Sequence, residues 1–214
     1  MKRVILGSLL VLSLGWLPQL AAGKTENVGK IQVITVSIHD QAGVPEETIQ
    51  EAERVATRIF EQAGIRLAWL DCPTILTERS MSQPCGETSY PQHLHLGVLS
   101  RSRGLSASTI GISFLTSAGE GCYADIFYEP TLELQDREKG DIGSLLGHAA
   151  AHELGHLLLG ANSHSIKGLM SGHWEGPELH QIRSSTLFFS EIEARRMREK
   201  ISTRCEVWRH VLGR

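Results

Sequence analysis

The segment Ile142 to Leu159 constrains this chain more than any other, because its apolar residues cover every side of a helix. A helix without a polar face cannot rest on a surface and has to run through the middle of a molecule, enclosed by other elements. Yet the same segment holds His152, Glu153 and His156. Polar side chains in such a place cost free energy unless something satisfies them. His152 and His156 stand one helical turn apart, so both rings leave one face. Two imidazoles stacked that way can each reach one Zn2+ at about 2.0–2.1 Å, and Glu153 projects beside them, within reach of a water on the metal.

The residues that follow extend the pattern. Gly160 is the residue type that ends a helix in a left-handed cap, turning the chain back toward the pair. His164 lies just past that turn and could supply a third metal ligand, and Gly168-Leu169-Met170 reads as a tight turn carrying a methionine. From His152 to Met170 the chain resembles the metzincin clan of zinc metallopeptidases, whose extended motif is H-E-x-x-H-x-x-G-x-x-H/D followed by a methionine turn. The resemblance implies a zincin-like α+β fold, with His152, His156 and His164 as zinc ligands, Glu153 as catalytic base and Met170 beneath the metal. The spacing here is H-E-x-x-H-x-x-x-G-x-x-x-H, one residue longer on each side of the glycine. One residue turns a helix end by about 100°, so the return loop has to compensate.

The expected activity is that of an exported zinc-dependent endopeptidase, hydrolysing protein or peptide substrates with a zinc-bound water activated by Glu153. Two alternatives stay open. Glu191 or Glu193, from a later helix, could be the third ligand in place of His164, or the chain could be a non-catalytic zinc-binding interaction domain. A purely structural metal has no use for Glu153, which argues against the second. Tyr123, Tyr128 and His173 are candidates for a second donor to a developing oxyanion. His148, four residues before His152, has no correctly placed glutamate and reads as structural. His93 and His95 alternate along a strand and read as sheet packing or exposure, and Trp174 as pocket wall or core.

Elsewhere, Ile31 to Ile38 alternates as a strand. A helix opens at Glu46 behind Pro45 and stops at Gly64. Ile65–Leu70, His93–Leu99, Thr109–Leu115 and Tyr123–Tyr128 read as further strands. Asp71 to Pro91 and Gln135 to Asp141 read as loops, and Ser190 with Glu193 makes a capping box for a last helix reaching about Arg204. These elements predict one α+β domain, a mixed and mostly parallel sheet packed on the N-terminal and central helices. Its upper lobe spans about 30–160, and a small lower lobe, about 161–214, ends in a helix.

Residues 1–22 read as a signal peptide: Lys2 and Arg3, an apolar run from Val4 to Leu17, then Ala21, Ala22 and Gly23 at a cleavage site. The mature domain is then 23–214, periplasmic or secreted, with no membrane attachment after cleavage. In that compartment Cys72, Cys85, Cys122 and Cys205 favour disulfides, and of three possible pairings we prefer Cys72–Cys85 with Cys122–Cys205. Net charge is −3, with 21% charged residues, which gives no sign of a nucleic-acid partner. Oligomeric state is not legible.

Overall fold

The computed structural model describes residues 32–73, 85 and 92–212, with side chains described up to Thr203. Strands β1 (Gln32–Asp40), β2 (Ile65–Cys72), β3 (His93–Leu99), β4 (Gly111–Phe114) and β5 (Tyr123–Phe127) form one sheet of order β2-β1-β3-β5-β4. All pairings are parallel except that of β4, which runs antiparallel to β5 at the sheet edge. The helices are α1 (Glu46–Gln62), α2 (Tyr128–Glu138), α3 (Ile142–Leu159), α4 (Gly176–Arg183) and α5 (Glu191–Leu212). This is the mostly parallel α+β architecture expected. The strand boundaries differ from expectation by two residues or fewer.

Alternation in the strands decides which face is core. Val36 and Ile38 of β1, Leu94, Leu96 and Val98 of β3, and Ala124 and Ile126 of β5 are buried in the core. The core-facing side chains of α1 and α3 join them in one cluster. Fully sequestering a Leu or Ile is worth about 1.5–3 kcal/mol each, so this layer is the main source of stability. α3 is buried on nearly all sides, from Gly143 to Leu158. Its two early glycines explain how closely α1 crosses it. A Cβ on Gly147 would stand 2.6 Å from the Ala52 carbonyl oxygen, and one on Gly143 2.6 Å from Glu51 Cβ. Asp141 caps α3 by accepting from Ser144 N at 2.7 Å.

Two helices were not foreseen. The stretch read as the start of a charged loop belongs to α2, which carries little apolar signal; Thr131 Oγ1 donates to the Phe127 carbonyl, and Arg101 bridges Glu129 and Glu133. α4 is short and is nucleated by a capping box between Glu175 and Glu178. The last helix runs to Leu212, beyond the expected Arg204.

Cys72 and Cys85 form a disulfide, with Cα atoms 5.7 Å apart. The preferred second bridge is corrected: Cys122 is a free, half-buried thiol, its backbone carbonyl taken up in pairing with β3 through His95 N, and the Cys205 side chain lies outside the described residues. Residues 1–22 also lie outside the described residues, as does most of the loop between β2 and β3. Among the described residues no helix is long and apolar enough to cross a membrane.

Candidate metal centre

The central helix carries His152, Glu153 and His156 to one end of the core, and the chain returns over them. Gly160 closes α3 with φ 93° and ψ −172°, a conformation open to glycine and not the left-handed helical cap expected from its position. Asn162 then takes a left-handed φ of 56°. His164 arrives beside the helix pair. The nitrogens of His152, His156 and His164 lie within 4.8 Å of one another. His156 Nε2 is 3.0 Å from His152 Nε2 and 3.0 Å from His164 Nε2.

The hydrogen-bond network assigns the tautomers. His152 Nδ1 lies 2.8 Å from the Leu169 carbonyl oxygen, which can only accept, so Nδ1 carries the proton. Ser163 Oγ gives its single proton to the Gly160 carbonyl at 2.8 Å and must therefore accept from His156 Nδ1 at 2.7 Å. Both Nε2 atoms then present lone pairs to each other across 3.0 Å. Two facing lone pairs repel unless a cation lies between them. Burial pushes His152 down to about 4 and His156 down to about 3, the neighbouring histidines adding to the effect, so both are neutral at physiological pH. A neutral imidazole whose far nitrogen is held by an acceptor is the form that ligates metal. Tetrahedral zinc at 2.0–2.1 Å sets its ligand nitrogens about 3.3 Å apart, so the donor set fits that ion.

Support comes from the methionine turn. Met170 is fully buried, and its sulfur would lie 2.9 Å from a Cβ added to Gly155, so it packs directly under the α3 backbone. The turn is closed by Ser171 N to the Gly168 carbonyl at 3.0 Å and Ser165 N to the Met170 carbonyl at 2.8 Å. Trp174 Nε1 donates to the same Leu169 carbonyl that holds His152, and its ring meets His152 edge-on at 5.8 Å.

Glu153 is buried, and Ser113 Oγ on β4 lies 2.6 Å from its carboxylate. Burial pushes this carboxyl up to about 7, against the lowering effect of Ser113. A proton acceptor with that poise works near neutral pH. Gly111 makes the room: a Cβ there would fall 2.6 Å from Glu153 Oε1. The face of the site opens into a cavity of about 460 Å3 lined by residues of β4, α2, α3 and the segment Ser171–Trp174, among them His152, Glu153 and His164.

The remaining candidates fall elsewhere. Glu193 caps α5 by accepting from Ser190 N at 2.7 Å, and Glu191 is exposed in the same first turn; neither joins the histidine group. Of the oxyanion candidates, His173 lines the cavity, whereas Tyr128 does not, and Tyr123 lies stacked on His95. His148 is buried with Nδ1 2.7 Å from the Ser144 carbonyl, outside the group. Sequence reasoning missed Ser163, Ser113 and Gly111. A glycine inside a strand was the one available signal, since it marks a close approach.

No family profile matches the sequence, and no curated protein matches it. Among solved structures, the fold is similar to that of a zinc-dependent peptidase from Methanocorpusculum labreanum (strain Z). The TM-score is 0.51 at 14% identity, covering 78% of this chain and 99% of the other. At that identity the likeness is one of fold.

Proposed function

We propose that this chain is a zinc-dependent peptidase of the metzincin type, with His152, His156 and His164 as ligands and Glu153 as general base. One observation carries the reading: three imidazole nitrogens converge while the outer nitrogens of His152 and His156 are held by a carbonyl and a hydroxyl. The shared fold with a zinc-dependent peptidase supports it. When bound, zinc supplies Lewis acidity, lowering the pKa of a coordinated water and polarising a carbonyl. The chain's own residues do the rest. Glu153 takes a proton from the attacking water and passes it to the leaving amine, and Ser113 keeps its carboxylate pointed from α3 toward the cleft. His173, on the cavity wall, is the remaining candidate donor to the oxyanion.

The alternative of a non-catalytic zinc domain accounts for the three histidines but not for a buried carboxyl poised near neutrality beside them. We further infer export: residues 1–22 as a signal peptide, 23–214 as the mature catalytic domain, with a periplasmic or secreted destination. The Cys72–Cys85 disulfide favours an oxidising compartment. Protein or peptide is the substrate, and neither nucleic acid nor membrane is a partner.

The test is metal analysis of the purified chain with hydrolysis of an unstructured protein such as casein. One zinc per chain and chelator-sensitive cleavage are expected, with the Glu153→Gln variant keeping its zinc and losing cleavage. Unchanged cleavage by that variant would remove Glu153 from the mechanism.

A further inference from the structure

Arg137 stands in the last turn of α2 and lines the same cavity as His152, Glu153 and His164. It is the one arginine or lysine among the described residues of that lining, and Glu153 is the one carboxylate. The arginines nearest in role are otherwise engaged. Arg101 is bound to Glu129 and Glu133 on α2, and Arg183 pairs with Glu138. Arg137, by contrast, makes no ion pair among the described residues, although α2 is rich in acids. Its neighbour Glu133 is spent on Arg101. Pro130, Leu134, Ala149 and Trp174 make up an apolar part of the same lining, which also holds serines and histidines. A cavity with a mixed lining and one exposed guanidinium that makes no ion pair suits an extended group that carries a carboxylate. The planar fork of arginine can bind both carboxylate oxygens at once.

We propose that Arg137 is the specificity-determining residue of this site, pairing with a carboxylate of the peptide substrate close to the cleaved bond. The proposal rests on the peptidase reading and adds the substrate class to it. The carboxylate has two possible sources, an internal Glu or Asp side chain or the free C-terminus of the peptide. The first makes the enzyme an endopeptidase selective for acidic positions, the second a carboxypeptidase. The preference is lost as pH falls to about 4, where the substrate carboxylate takes up a proton.

The experiment uses the full chain reconstituted with zinc and internally quenched peptides of polyalanine in which one Glu or Gln is walked through each position. Each peptide is made with a free and an amidated C-terminus. The carboxylate-bearing peptide is expected to show kcat/KM about tenfold higher than its neutral isostere, mostly through KM, the low end for a charge-assisted hydrogen bond. Arg137→Gln brings that ratio close to one, Arg137→Lys restores part of it, and Arg137→Glu reverses it. Preference for Glu in amidated peptides identifies the side chain, and preference for the free acid identifies the C-terminus. Binding of the same peptides to zinc-loaded Glu153→Gln by calorimetry gives a second readout that needs no turnover. A carboxylate preference that depends on Arg137 in binding, without hydrolysis by the wild type, supports the role of Arg137 and removes the peptidase reading. Cleavage with equal rates for Glu and Gln peptides, free and amidated, or a preference that survives in Arg137→Gln, overturns the role of Arg137 and leaves the peptidase reading intact. Peptides neither bound nor cleaved overturn both.

Discussion

Among the described residues histidines gather in two groups, on the sheet and at the end of α3, and their chemistry differs. On the sheet face away from α3, His39, His93 and His95 line up across β1 and β3, with Tyr123 of β5 beside them. His93 and His95 stack at 4.8 Å with planes 8° apart, and His95 stacks on Tyr123 at 4.7 Å. At the end of α3, His152 and His156 stand edge to face, 4.7 Å apart at 77°, and His156 and His164 do the same at 79°. Stacked rings lie in parallel planes and do not aim their nitrogens at one spot; His93 Nε2 meets Ser37 Oγ at 2.6 Å instead. Rings set edge to face can point theirs at a common spot. The strand period of two therefore builds a ladder, and the helical turn followed by a reversal builds a metal-shaped pocket. Each group has a buried member: burial pushes His95 and His152 alike down to about 4, whereas His164 is exposed. Neutral, buried histidines are thus not in themselves a metal site; convergence of their nitrogens is.

The comparison breaks most severely if the two groups exchange behaviour. The largest effect is expected from Glu153→Gln, with kcat falling about 10^2- to 10^4-fold while zinc content stays at one per chain, measured by steady-state kinetics and elemental analysis. Next, His152→Ala or His156→Ala abolishes stoichiometric zinc in equilibrium dialysis, and His164→Ala weakens zinc sharply, whereas His93→Phe and His95→Phe leave zinc content unchanged. Zinc lost from the sheet variants with the α3 site intact would contradict the distinction drawn here.

Ser163→Ala sharpens it. The three ligands remain, but His156 Nδ1 loses its acceptor, and affinity should fall about 10- to 100-fold in competition with a chromophoric chelator. An unchanged affinity would show that Ser163 does not orient His156.

The smallest effect concerns pH. His95 titrates near its ordinary value of about 6.5 when unfolded and near 4 when folded. The unfolded chain therefore binds the proton more readily. The stabilising contribution of the neutral ring is complete above about pH 6.5 and is lost progressively as pH falls toward 4. Replacing His95 by Phe should flatten the acid limb of a plot of melting temperature against pH between those values. A limb of unchanged slope would assign acid sensitivity to other groups, His148 first, which burial also holds near 4.

Much of this was legible in the residues themselves. An apolar segment with no polar side can only be a central helix, and two histidines four residues apart on it can only share a face, because the helical period decides both. Strand alternation likewise announced β1, although it did not say which face is core: Val33 is exposed, whereas Ile34, Val36 and Ile38 are buried. What sequence could not supply is whatever depends on positions distant in the chain. His164 reaches the pair because the reversal after Gly160 and the packing of Met170 under Gly155 bring it there, and residue spacing alone does not specify a loop's path. Ser113, 40 residues from Glu153, becomes its partner only when β4 takes the sheet edge beside α3. α2 shows the same limit from the other side. Its local signal was too weak to announce a helix, and contacts with Arg101, far away in sequence, hold it in place. Local periodicity is a property of neighbours along the chain, whereas a pocket is assembled by long-range contacts that no short stretch encodes.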